Sequence, residues 1–219
     1  MIAEIGHFAL ILALVLSVVQ CVLPLVGAAR GIGSWMALAR TAAYANALFL
    51  TISFGTLAYS FYISDFTLLN VASNSNSLLP WFYKVAASWG SHEGSILFWA
   101  LMLTWWGFFV ALTSRKLPQE TVARVLGVMG FITAGFVAFM LFTSNPFLRL
   151  FPAAPEGADL NPLLQDPGMV FHPPLLYMGY VGFTVPFAFA IAALIAGRLD
   201  AVWARWMRPW TTMAWILLT

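Results

Sequence analysis

Five apolar runs decide what this chain can fold into: residues 7–27, 41–63, 96–113, 125–143 and 175–197. A helix needs about 20 consecutive apolar residues to cross the hydrocarbon core of a bilayer. Four runs meet that length, and the third meets it if residues 91–95 belong to the same helix. With 62% hydrophobic and 8% charged residues, against roughly 25% charged in a soluble domain, no water-soluble fold covers this much apolar surface. The fold class expected is an all-α, polytopic transmembrane helical bundle with five complete spans. A sixth run opens at Trp210 and reaches Thr219 after half a span. Half a span leaves backbone groups unsatisfied in lipid. Residues 1–219 are therefore expected to be the N-terminal membrane portion of a longer protein, cut within its sixth span. Met1 to Gly6 carry Glu4 and no Lys or Arg, so the first run reads as a retained span rather than a cleaved signal.

Charge orients the bundle. Eight of the ten Lys and Arg (Arg30, Arg40, Arg115, Lys116, Arg124, Arg198, Arg205 and Arg208) fall in connectors on one side, and only Lys84 and Arg149 on the other. The positive-inside rule makes the first side cytoplasmic and puts the N-terminus outside. Six acids (Glu4, Asp65, Glu93, Glu156, Asp159 and Asp166) share the outer side, against Glu120 and Asp200 inside. A net charge of +2, spread thinly, carries no nucleic-acid signature. The inner connectors are short. The outer loops, 64–95 and 144–174, are long, and loops of that length are usually functional or disordered. Both hold aromatics, prolines and a histidine, so the working surface is expected on the outer face. Cys21, the single cysteine, lies in an apolar run and is expected to be a small buried packing residue.

Two constellations stand on that face. The first is Trp89-Gly-Ser-His92-Glu93-Gly-Ser. If residues 81–99 form one helix, Val85, Trp89, His92, Ile96 and Trp99 share a face, and His92 is stacked between two indoles with Glu93 on a neighbouring face. Gly90 and Gly94 would admit another backbone or a flat ligand. Two readings stand: an aromatic shelf with His92 as ligand, proton carrier or hydrogen-bond donor, or interfacial anchoring with both polar residues bonded to loop backbone. The second constellation is Asp166-Pro-Gly-Met-Val-Phe-His172-Pro-Pro-Leu-Leu-Tyr-Met-Gly-Tyr. A residue before proline is pushed toward extended backbone, and proline suits a first helical turn. His172 is thus expected in the last extended position before the fifth span, with its ring outside the helix. There it suits an axial bond to porphyrin iron or a proton relay, and equally an ordinary loop cap. His7 reads as a solvated end residue, Pro24 and Pro186 as helix kinks, and the 127/130/135 and 179/182 glycines as close helix packing.

Trp89-Gly-Ser-His-Glu-Gly-Ser and Phe171-His-Pro-Pro-Leu-Leu-Tyr-Met-Gly-Tyr-Val-Gly resemble segments of the CcmF family of bacterial cytochrome c maturation. Glu4-Ile-Gly-His-Phe-Ala-Leu, Ser144-Asn-Pro-Phe-Leu-Arg and Leu160-Asn-Pro-Leu-Leu-Gln-Asp-Pro are similar to it as well, so the likeness covers the whole chain. It implies a haem-handling protein of the bacterial cytoplasmic (inner) membrane with a periplasmic working face, a component of a membrane haem lyase. The family is held to receive haem from a periplasmic haem chaperone, CcmE. It presents that haem for thioether attachment to apocytochrome c, whose thiols are handled by a CcmH-like chaperone. The resemblance puts His172 at a proposed axial ligand of the arriving haem iron; His92 matches a family position as well, and the residues themselves suggest that His92, Trp89 and Glu93 shape the outer haem site. The Trp-rich signature, the partner histidine and the ligands of a bound b-type haem lie further on in the family, so this stretch alone is not expected to be active.

No Ser-His-Asp set, carboxylate pair or phosphate loop appears, and no catalytic residue is assigned. What the residues support is positioning, because the porphyrin carries the difficult chemistry. The rival reading is a membrane transporter or ion-translocating subunit with His92 and Glu93 as proton relay. Against it, no charged residue falls near the middle of a span, where coupling sites tend to lie.

Overall fold

A computed structural model describes residues 1–197 and 201–219, with the backbone alone at 169, 201 and 202. Arg198 and Asp200, used above for orientation, lie outside the described residues. Five helical stretches are long and apolar enough to cross a membrane: Ile2–Arg30, Gly33–Tyr62, His92–Lys116, Gln119–Thr143 and Val170–Ala196. The first four contain helices α1 (Ile2–Arg30), α2 (Gly33–Tyr62), α5 (His92–Thr113) and α6 (Gln119–Thr143). The fifth is two helices, α7 (Pro167–Gly182) and α8 (Thr184–Ala196), and α9 (Ala201–Leu218) follows. Short helices α3 (Leu69–Asn74) and α4 (Trp81–Gly90) lie in the first long loop.

The helices outrun the apolar runs. α1 and α2 are joined by residues 31 and 32 alone, with Gly31 in the left-handed region (φ 71°) and its N–H donating to Gly27 O. The backbone ladder continues past the apolar run because water can serve polar side chains there. Arg30 also suits the negative end of the helix dipole. The same holds for α9, which begins at Ala201 and not at Trp210: Arg205 and Arg208 interrupt the apolar run but not the helix. Pro24 sits inside an unbroken α1. At Pro186 the fifth span does break, with a turn at Phe183, since this proline has no N–H for the carbonyl four residues back.

Small residues set the packing. A Cβ at Gly130 would lie 3.0 Å from Cys21 N, and one at Gly127 2.8 Å from Leu25, so α6 seats directly on α1. Cys21 itself is half-buried rather than buried. Gly182 brings Ala214 and Trp106 within 2.8 Å of where a Cβ would stand, which closes α7 on α9 and α5. Gly135 faces open space and packs against nothing. Between α1, α2 and α6 the Gln20 and Asn46 amides hydrogen-bond at 2.8 Å, and Gln20 Nε2 donates to Leu126 O at 2.8 Å. Among the described residues no charged side chain is buried. The outer surface of α1 (Ile5, Phe8, Ile11, Val15, Val18 and Val22) is exposed and apolar, a continuous stripe that water would penalise and lipid accepts. The chain is a multi-pass membrane protein.

The two long loops fold over one end of the bundle as a joint cap. Leu68 pairs with Arg149 as an antiparallel bridge, flanked by Leu69 N–H to Leu148 O and Leu150 N–H to Thr67 O, both 2.9 Å. Arg149 reaches Glu4 and Thr67. Ser77 donates through N–H (2.9 Å) and Oγ (2.6 Å) to Glu156, and Asn76 donates to Asp159 at 2.7 Å. Beneath these bonds Leu68, Val71, Phe147 and Leu160 are buried in one cluster with Leu10, Leu57 and Leu97 of the spans. His7 belongs to this junction: its ring stacks on Phe147 (6.3 Å, 16°), which corrects its reading as a merely solvated end.

Candidate functional site

Under the cap lies a cleft of about 270 Å³, lined by Trp89, Gly90, Ser91 and His92 from the α4–α5 junction, Leu160 and Leu164 from the second loop, and Pro173 and Tyr177 from α7. The chain turns sharply here. Residues 81–99 are not one helix: Ser91 is extended (φ −90°, ψ 160°), ending α4 and capping α5, where its Oγ accepts from Gly94 N–H at 3.0 Å. Gly94 has no alternative at this corner, because any Cβ would collide with the carbonyl oxygen of Ser88.

That break overturns the expected sandwich of His92 between two indoles. His92 is the first residue of α5, and the ring it meets is Phe139, edge-on at 6.4 Å and 75°. Its Nδ1 lies 2.9 Å from Ser144 Oγ at the end of α6. With Nδ1–H donating to that hydroxyl, Nε2 keeps its lone pair free. Trp89 instead stacks on Phe98 (5.6 Å, 23°). Phe98 and Trp99 both contact Tyr177, at 6.1 and 5.6 Å. The cleft thus has an aromatic wall continuous with the spans. Glu93 is half-buried and makes no side-chain hydrogen bond or ion pair among the described residues. It does not touch His92.

His172 also departs from expectation. It is not extended: α7 starts at Pro167, capped by Asp166, whose carboxylate accepts from Gly168 N–H at 2.7 Å. His172, Pro173 and Pro174 are all helical. An aspartate cap followed by proline at the first position is a strong start signal. It prevails over the two internal prolines, whose missing N–H groups cost two ladder bonds near a wet helix end. His172 is exposed and its side chain has no partner among the described residues, one residue from cleft-lining Pro173. Phe171 beside it is 70% exposed. No group of three or more His, Cys, Asp or Glu is placed to hold a metal ion among the described residues.

The sequence reading did not single out Ser144, Phe98 or Tyr177. Tyr177 had a usable signal: once α7 begins at Pro167, Pro173 and Tyr177 are four apart and share a helix face. Ser144 had none, since only the fold brings it to His92.

Fold and site together define a multi-pass helical membrane protein with an aromatic, histidine-bearing cleft under a folded loop cap. Its sequence from residue 89 to 219 matches the family model described as cytochrome c assembly protein. The chain belongs to that family. Over 219 residues it is 61% identical to the cytochrome c-type biogenesis protein CcmF of Pseudomonas aeruginosa, covering 100% of this chain and 33% of that protein. It is 54% identical to CcmF of Escherichia coli (100% and 34%) and 47% identical to the cytochrome c-type biogenesis protein NrfE of Haemophilus influenzae (100% and 34%). A solved structure titled cytochrome c heme lyase CcmF superposes with a TM-score of 0.85 at 28% identity, over 99% of this chain and 34% of that one. The chain spans about a third of the length of these relatives.

Proposed function

We propose that this chain contributes one wall of a haem-presenting site in cytochrome c maturation, acting as the N-terminal portion of a membrane haem lyase. Haem is the cargo. It arrives from a CcmE-like periplasmic chaperone and is offered to apocytochrome c, kept reduced by a CcmH-like partner. In this reading the protein lies in the bacterial cytoplasmic membrane with the cleft on the periplasmic face, as the arginine distribution favours.

The observation that carries the reading is His172: an exposed imidazole without a partner among the described residues, one position from an aromatic-walled cleft. A cleft of about 270 Å³ is smaller than the ~300–1,000 Å³ of pockets that enclose a ligand. It suits one edge of a flat ring, with the rest left accessible to a second protein. Trp89, Leu160, Leu164 and Tyr177 supply an apolar wall for that edge, with Phe98 packed behind Trp89, and His172 supplies one axial bond to the iron. Thioether formation adds a cysteine S–H across a vinyl C=C: sulfur bonds to one carbon, hydrogen to the other, and no oxidant is consumed. What the chain contributes is orientation, holding the vinyl groups where the thiols arrive.

The test is a visible spectrum of the protein and of His172→Ala, each purified after co-expression with haem-loaded chaperone. Partial loss of the Soret band in the variant is the expected outcome. An unchanged band moves the ligand elsewhere and reduces His172 to a surface residue.

A further inference from the structure

At the opposite end of the bundle, a second cavity of about 270 Å³ opens between α2 and the α5–α6 connection, lined by Arg40, Arg115, Gln119, Met36, Leu117 and Val122. Arg40 is half-buried there. Its Nη2 donates to Ser114 O at 2.9 Å, its Nε is buried without a partner, and Nη1 has none from the protein. Among the described residues no carboxylate lies within ion-pair distance of Arg40 or Arg115. The one acid at this end among the described residues, Glu120, is taken by Arg124 at 2.7 Å. Gln119 is held at the rim by its bond to Gly33 O (3.0 Å).

A guanidinium withdrawn from water needs a counter-charge, and one carbonyl does not supply it. We propose that this cavity binds the phosphate group of an anionic membrane phospholipid. Two arginines converge on a space that, among the described residues, carries no protein anion, and a guanidinium fork matches phosphate oxygens in pairs. The cavity sits where three candidate spans end, with Arg40 just before the apolar run 41–63 and Arg115 just after the run 96–113, the boundary at which a bilayer would place its headgroups. Met36, Leu117 and Val122 give its inner wall an apolar surface against which the start of an acyl chain can lie. Basic pockets between spans are a recurrent site for such headgroups.

Native mass spectrometry of the protein in neutral detergent tests this, with phosphatidylglycerol, phosphatidylcholine or inorganic phosphate added at matched concentration. Phosphatidylglycerol is expected to be retained in preference to phosphatidylcholine, and Arg115→Gln to weaken that retention about fivefold. Arg115 is exposed and its guanidinium has no hydrogen bond or ion pair among the described residues, so this variant tests the site even if Arg40→Gln, which loses the Ser114 bond, fails to fold. Equal retention of both lipids, or retention unaffected by Arg115→Gln, overturns the site. Retention of inorganic phosphate with no lipid preference overturns the lipid as its source.

Discussion

His92 and His172 stand at the same end of the molecule, each early in a helix that leads into a span. Both are exposed, yet around His92 the fold fixes the ring: Ser91 caps its helix, Ser144 Oγ lies 2.9 Å from Nδ1, and Phe139 meets the ring edge-on. Around His172 it does nothing of the kind, and the ring is exposed with no protein partner among the described residues. The difference separates two tasks. A ring with one nitrogen tied to the fold is set in one orientation and helps shape a site, whereas one held by nothing has both nitrogens to give to something that arrives. The backbone beneath tells the same story. The His92 corner is locked by Ser91 and Gly94, while His172 rides on a helix whose two prolines thin its own hydrogen-bond ladder.

The corner is the place to break this contrast. Gly94→Ala would set a methyl against the Ser88 carbonyl, and neither backbone segment can move away without undoing the Ser91 cap. Overpacking of this kind costs about 1–3 kcal/mol, so a clear fall in thermal midpoint is expected, together with, if the proposed function holds, loss of cytochrome c maturation when the substitution is made in the full-length protein. A variant as stable and active as the parent would show the corner to be plastic. His92 would then be no better fixed than His172.

A finer cut leaves the fold alone. Ser144→Ala removes the hydroxyl that orients the His92 ring, a neutral hydrogen bond worth about 1 kcal/mol net. A small drop in thermal midpoint is expected, and haem retention weakened about fivefold. His172→Ala in the same experiment should leave the midpoint unchanged, because nothing in the fold rests on that ring. Equal destabilisation by the two substitutions would erase the distinction drawn between the histidines.

How much of this could be read from the sequence depends on which force decides each element. The spans were legible because lipid imposes one requirement, an apolar run of fixed length, and the runs show it directly. Their ends were not, since water permits a helix to continue through Arg30 or Arg205 without favouring it. The corner at Ser91 was misread for a different reason. The spacing of Val85, Trp89, His92, Ile96 and Trp99 fits a helix perfectly well, and periodicity says nothing about a break. The start signal was present, a serine cap with Glu93 in the first turn, but it was outweighed by the pattern. Asp166-Pro167 was passed over in the same way in favour of the more conspicuous Pro173-Pro174. Caps are short-range and backbone-specific, so they fix where a helix begins more firmly than side-chain spacing does. The Ser144–His92 bond, made across 52 positions, was beyond any local signal.

The smallest expected effect concerns the cap that the two outer loops form together. Ser77 Oγ and N–H and the Gly157 N–H all donate to Glu156, and these bonds to the charged form hold its carboxyl below the usual glutamate pKa. A carboxylate with a depressed folded-state pKa stabilises the fold fully above its unfolded-state value. That contribution fades as the pH falls through the folded value. The latch between the two loops is therefore intact at neutral pH and weakens below about pH 4. Thermal midpoints of the parent and Glu156→Gln, compared from pH 7 downward, should differ slightly at neutrality and converge in acid. The gap is small because the carboxylate is solvent-exposed and screened. A gap that widened on acidification would mean the bonds favour the protonated acid, and the cap over the cleft would then have to be held by its other contacts, the Leu68–Arg149 bridge, the Asn76–Asp159 bond and the buried Phe147 and Leu160 among them.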